Sequence, residues 1–136
     1  MQRVNSFILM LILLMTLFVM LGMACNKSPS APKGLYHLVI AAPAKGEYVA
    51  LAMPLKKIAG MPGDVVTVTP RGSYINGRPI LNSAPMMARH YPYGTYLLGP
   101  TDIWVVGKDP MSYDSRYFGP IPMSLINAIA EPLITH

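Results

Sequence analysis

Ser28 and Ser30, set among prolines in Asn26-Lys27-Ser28-Pro29-Ser30-Ala31-Pro32-Lys33-Gly34-Leu35-Tyr36, are the first side chains in this chain with the makings of a nucleophile. Proline fixes its own φ and pushes the preceding residue toward extended backbone, so the Ser30 hydroxyl would be presented in a defined direction. A plain Ser-Pro linker has the same composition. A serine nucleophile also needs a base, and histidine is a poor candidate for it. His37, His90 and His136 are isolated, no G-x-S-x-G elbow occurs, and six acids leave little for a triad or a paired-carboxylate site. The second block, Leu55-Lys56-Lys57-Ile58-Ala59-Gly60-Met61-Pro62-Gly63-Asp64, offers another base. Strand alternation would send its two lysines to opposite faces. One could then be solvated and the other driven inward, where desolvation lowers an ammonium pKa and leaves an amine able to take a proton from serine. Two surface lysines beside a Pro-Gly-Asp turn would have the same sequence. A third block, Met111-Ser112-Tyr113-Asp114-Ser115-Arg116-Tyr117-Phe118-Gly119-Pro120, places Asp114 and Arg116 close enough to pair, which alone names no reaction.

The elements that must position these blocks are mostly short. Fourteen prolines and eleven glycines divide the chain into segments that favour strands and turns. Leu35 to Ile40, Tyr48 to Met53, Leu55 to Ile58, Val65 to Thr69, Gly94 to Leu98 and Ile103 to Val106 read as strands rich in Val, Ile, Leu and Tyr. Asn76-Gly77 between Ser73-Tyr74-Ile75 and Arg78-Pro79-Ile80 predicts a hairpin, because both residues accept the positive φ of a type I′ turn. The tail, Met123 to Ala130, suggests a short helix. Lys27 to Gly34 reads as a polar, Pro-rich link, and residues 82–93 carry Met86, Met87 and His90 in a loop without an assignable role.

Ahead of all this, Phe7 to Ala24 is an uncharged run with Thr16 as its one clearly polar side chain, which as a helix would span about 27 Å, near a bilayer core. The spacing predicts a single transmembrane helix, with Arg3 and Lys27 at the two interfaces, over cleavage or lipidation near Gly22-Met23-Ala24-Cys25. The domain organisation expected is an N-terminal membrane anchor, residues 1–25, and a mainly β domain, residues 26–136. Net charge is +5, but the lysines and arginines beyond Arg3 are scattered from Lys27 to Arg116, without the basic stripe of a nucleic-acid binder. A lipid surface suits such a charge better. Cys25 is the single cysteine, which excludes an intrachain disulfide framework and a Cys-based zinc site. There is no spaced metal-ligand set, and Gly60-Met61-Pro62-Gly63 lacks the Lys-Ser/Thr of a phosphate loop.

The three blocks, in this order behind one apolar segment, resemble the bacterial type I signal peptidases. Ser28-x-Ser30-x-Pro32 is similar to their nucleophile box, the run from Lys56 to Asp64 to their general-base box, and Ser112-Tyr113-Asp114-Ser115-Arg116 to a third box. Asn26 to Tyr36, Trp104, and Ser112 to Pro120 are most similar to the TraF-type peptidases of conjugative plasmids, which mature pilin subunits. Ala31, where methionine is usual, and Lys57, where arginine is usual, depart from the pattern. The resemblance implies a signal-peptidase-like antiparallel β domain behind a transmembrane helix, single-pass in the bacterial inner membrane with its catalytic part in the periplasm. It implies Ser30 as nucleophile, Lys56 as general base, Ser28 as oxyanion donor, Ser112 as the residue orienting the amine, and Asp114 with Arg116 as structural support. No cofactor and no metal are implied. The partners implied are the bilayer and a membrane-inserted preprotein or pre-pilin, with Ala-x-Ala-like sites next to the membrane, and not nucleic acid. A housekeeping signal peptidase, and a non-catalytic envelope component that kept the fold, are the two alternatives.

Overall fold

The computed structural model of the chain describes residues 2–52 and 54–136. Helix α1 (Gln2–Met20) is built from the apolar run, and its side chains from Phe7 to Leu21 remain largely exposed. Gly22 adopts φ +67°, the left-handed cap that ends helices, and its N–H bonds the Val19 carbonyl. The chain then turns into strand β1 (Met23–Asn26), which pairs antiparallel with β2 (Gly34–Val39), Met23 opposite His37 and Asn26 opposite Gly34.

This corrects the expectation of one helix from Phe7 to Ala24. Hydrophobicity is equally satisfied by a strand, and the open edge of β2 supplies backbone partners to residues 23–26 that a longer helix would forgo. Among the described residues no helix is long and apolar enough to cross a membrane. The side chain of Arg3, expected at an interface, lies outside the described residues, as does Met53.

The remaining strands are β3 (Tyr48–Ala50), β4 (Lys56–Gly60), β5 (Val65–Thr69), β6 (Gly72–Ile75), β7 (Arg78–Pro79), β8 (Gly94–Leu97), β9 (Asp102–Val106), β10 (Ile121–Pro122) and β11 (Ala128–Thr135). They form a seven-stranded sheet, β1-β2-β11-β3-β4-β9-β10, and a four-stranded sheet, β7-β6-β5-β8. The Asn76-Gly77 hairpin forms with φ +50° and +79°, as a type I′ turn requires. The predicted tail helix does not form. Only a single 3₁₀ turn occupies Met123–Leu125, and the residues from Ala128 onward become β11, an inner strand between β2 and β3. Two partners distant in sequence supply its hydrogen bonds, so tertiary pairing overrides local preference.

Strand β9 lies between two cores. Ile103 and Val105 pack with Val49, Ile58, Ile121 and Ile129, while Trp104 and Val106 face the opposite way and pack with Val66, Val68, Ile75 and Leu98. Period-2 alternation thus buries both faces of one strand, and its C-terminal end, at Gly107, is held rigidly where the site begins. Gly60 of β4 allows the closest approach here: a Cβ would lie 2.9 Å from Leu98 Cδ1 and 3.2 Å from Trp104 Cβ.

Candidate active site

Three segments meet at the ends of these strands: the loop between β1 and β2 carrying Ser28 and Ser30, the first residue of β4, Lys56, and the turn after β9 carrying Ser112. Alternation along β4 buries Lys56, 2% exposed, and leaves Lys57 exposed. The Lys56 amine lies 3.1 Å from Ser30 Oγ and 2.5 Å from Ser112 Oγ, and the two hydroxyls are 3.3 Å apart. Among the described residues Lys56 has no salt bridge, in contrast to Lys45 and Arg116. Burial pushes its pKa below the ordinary lysine value; the nearby Asp114 charge pulls it back up and Arg116 pushes it down again, with the net direction downward. A lysine without a bound carboxylate, between two hydroxyls and out of water, holds its proton less tightly than a solvated one and is chemically able to exchange it with a hydroxyl.

Ser28 is on the other side of Ser30. Its Oγ donates to Ser30 Oγ at 3.2 Å and accepts the Ser30 backbone N–H at 3.2 Å. Two donors, a backbone N–H and a hydroxyl, are therefore adjacent to the serine oxygen, the arrangement needed to receive negative charge developing on a carbonyl oxygen. The Ser30 carbonyl in turn accepts the Lys108 N–H at 2.6 Å, joining the serine loop to the strand end at Gly107.

Asp114 and Arg116 form a buried ion pair, 2.6 Å between Nη2 and Oδ2, with a second bond from Nε to Oδ1. Asp114 also accepts the Gly107 N–H at 2.6 Å and caps the short helix α2 (Ser115–Phe118) through the Arg116 N–H. Arg116 uses its remaining donors on the carbonyls of Asn82, Pro110 and Asp109. The pair thereby shapes the turn 107–114 on which Ser112 rides. Gly107 has to be glycine, since a Cβ there would collide with the Ser112 side chain. Residues 82–93, without an assigned role from sequence, are fastened to the same turn: besides the Asn82 carbonyl, the Met86 N–H bonds the Tyr117 hydroxyl and the Tyr91 N–H bonds the Arg116 carbonyl.

All six residues singled out from sequence, Ser28, Ser30, Lys56, Ser112, Asp114 and Arg116, are thus in one cluster. The cleft above it, of roughly 400 Å³, is walled by Pro29, Pro54, Met111 and Tyr113, none of which sequence reasoning had assigned. Asn26 was quoted there only as part of a motif. Its signal was an Asx residue two positions before a serine, a spacing typical of side chains that bond their own backbone. Among the described residues no group of metal-ligating side chains occurs.

The chain is similar to known proteins in sequence. The signal peptidase family, peptidase S26, matches residues 2–134. A plasmid transfer protein TraF of Escherichia coli is 32% identical over 89 residues, covering 60% of this chain and 50% of that protein; a second Escherichia coli protein of that name is 29% identical over the same extent. The chain spans about half the length of the curated relatives it matches. A signal peptidase I from Enterococcus faecalis V583 superposes with a TM-score of 0.46 at 21% identity, over 66% of this chain and 97% of that one.

Proposed function

Since the chain belongs to the signal peptidase family, peptidase S26, we propose that it is a serine endopeptidase that removes leader sequences with a Ser30/Lys56 dyad. One observation carries this reading: a buried lysine amine that has two serine hydroxyls as its neighbours and no salt bridge among the described residues. Ser30 Oγ attacks the carbonyl carbon of the residue preceding the cut, and its proton goes to Lys56 Nζ. The oxyanion is held by the Ser30 N–H and the Ser28 hydroxyl, whose contacts with one another and with Ser30 Oγ it replaces. Collapse breaks the C–N bond, and Lys56 returns the proton to the leaving amine. Water, deprotonated by Lys56, then cleaves the ester and restores Ser30. Ser112 orients the amine, while Asp114 and Arg116 hold the turn beneath it.

The relatives named as plasmid transfer proteins support a role in conjugative transfer, and the resemblance of residues 26–36 to TraF-type peptidases suggests a pilin precursor as the substrate of this reading. Peptidases of this family are generally membrane-associated. In this reading the exposed apolar surface of α1 is buried in the lipid of the bacterial inner membrane, with residues 1–25 as the anchoring part and residues 26–136 as the peptidase domain on the periplasmic side. Flotation of the chain with vesicles checks the lipid contact, and failure to float would reject it. For the chemistry, purified protein in detergent is incubated with a pilin precursor and with a general preprotein. Cleavage of the pilin precursor alone is expected. Cleavage of both would favour a housekeeping role, cleavage of neither a non-catalytic component, and cleavage surviving Ser30→Ala and Lys56→Ala would reject the dyad.

A further inference from the structure

The loop that carries Ser30 has no regular hydrogen-bonding partner of its own, yet nearly every carbonyl in it is engaged. Asn26, the last residue of β1, accounts for most of this. Its Nδ2 donates to the carbonyls of Ser28 at 3.0 Å, Ala31 at 3.1 Å and Pro32 at 3.0 Å, and its Oδ1 accepts the Ser28 N–H at 3.1 Å. Two hydrogens shared among three acceptors make one of these bonds bifurcated. The amide orientation is unambiguous, because the flipped side chain would set oxygen against three carbonyl oxygens. The Tyr36 hydroxyl adds 2.7 Å to the Pro32 carbonyl, and the Lys108 N–H holds that of Ser30.

The consequence lies at Ser28. Its N–H and its carbonyl are both held by the one amide, so its backbone is held at both ends, and from that backbone its hydroxyl meets the Ser30 N–H and Oγ. We propose that Asn26 is a positioning residue of the peptidase site, acting as an internal clamp that aims the Ser28 hydroxyl at the oxyanion position. This rests on the Ser30/Lys56 reading and adds to it the residue that sets the loop's shape. Asn26 itself touches neither reacting atom.

A residue that acts through Ser28 makes specific demands on kinetics. Using the full chain in detergent and the pilin precursor, Asn26→Ala is expected to lower kcat about 10- to 100-fold while KM stays within about twofold, as when a transition-state interaction is weakened. Asn26→Asp, of the same shape but facing three carbonyls with oxygen, is expected to be slower than Asn26→Ala. The double variant Asn26→Ala/Ser28→Ala is expected to be no slower than Ser28→Ala alone, since the two act as one unit. Wild-type rate in Asn26→Asp, multiplying losses in the double variant, or a change carried by KM would each overturn the clamp.

Hydrogen exchange separates this from the peptidase reading. The Ser28 amide should exchange at least about tenfold faster in Asn26→Ala while β4 and β9 keep their protection, which also shows that the variant is folded. Cleavage persisting in a Ser30→Ala control would sink the Ser30/Lys56 reading, and the exchange measurement would still decide the clamp: unchanged protection at Ser28 would reject it.

Discussion

Lys45 and Lys56 are two lysines of one small domain with opposite surroundings. Lys45, half exposed, lies 2.6 Å from Asp64 Oδ2, and that carboxylate also accepts the Met61 N–H and the Asn76 side-chain amide. Burial raises the Asp64 pKa, but those hydrogen bonds and the Lys45 charge outweigh it and hold the carboxyl below its usual range. Lys56 is almost fully buried and is given hydroxyls where Lys45 has a carboxylate. The nearest carboxylate to it that matters electrostatically, Asp114, is taken by Arg116. A cation deprived of a counter-ion and of water, as at Lys56, gives up its proton more easily. The same residue type is a surface brace in one place and, in the proposed reading, a base in the other, according to where the fold has put the nearest acid.

The largest expected effect tests that contrast in activity. Lys56→Ala should reduce kcat/KM by at least about 10³-fold, the upper range for loss of a general base, while Lys45→Ala leaves it within about twofold. Equal losses in both would erase the distinction. Next, Asp114→Asn should destabilise the domain by about 3 kcal/mol or more in chemical denaturation, because it leaves the Arg116 guanidinium buried without its partner. A cost under about 1 kcal/mol would mean that the pair is not the brace of the 107–114 turn.

A smaller effect concerns Lys56 alone. Its native pKa is lowered, so below that pKa the folded state bears the full cost of a buried ammonium. As pH rises through the window between the native pKa and the unfolded value of about 10.4, the unfolded chain binds more protons and the wild type gains stability. Lys56→Met should therefore stabilise the fold by about 1 kcal/mol near neutral pH, with the gain shrinking as pH rises, measured as the difference in unfolding free energy across a pH series. A gain that grew with pH would show the wrong sign for a depressed lysine. Least of all, Lys45→Ala should cost at most about 1 kcal/mol, falling further in high salt, as a solvent-accessible pair should.

Strand positions were legible wherever local rules decide. Val65–Thr69 and the Asn76-Gly77 hairpin needed only β-branched residues and positive-φ turn chemistry. Two elements were not legible, at either end of the chain. Met23–Asn26 continues an apolar run without a break in composition, and what makes it a strand is the edge of β2. Ala128–Thr135 contains Glu131 and Pro132 and has no clear period, yet it lies between β2 and β3 because both offer backbone partners. The Lys27 to Gly34 segment, read as a link, is a tightly bonded loop because the side chain just before it, Asn26, replaces the missing sheet bonds.

By itself, then, the order of residues determined which groups were available: a proline-flanked serine, two adjacent lysines that a strand must split between its faces, and an Asp114/Arg116 pair two positions apart. These are consequences of backbone geometry over a few residues, and they hold before any chain folds. Only the tertiary structure decided which lysine would be dry, which acid would be out of its reach, and which hydroxyls would be next to it, because Ser30, Lys56 and Ser112 are 26 and 56 residues apart along the chain and meet through sheet pairing alone. Desolvation and distance from counter-charge are properties of that assembled surround, so the proton affinity of Lys56 is written in the packing.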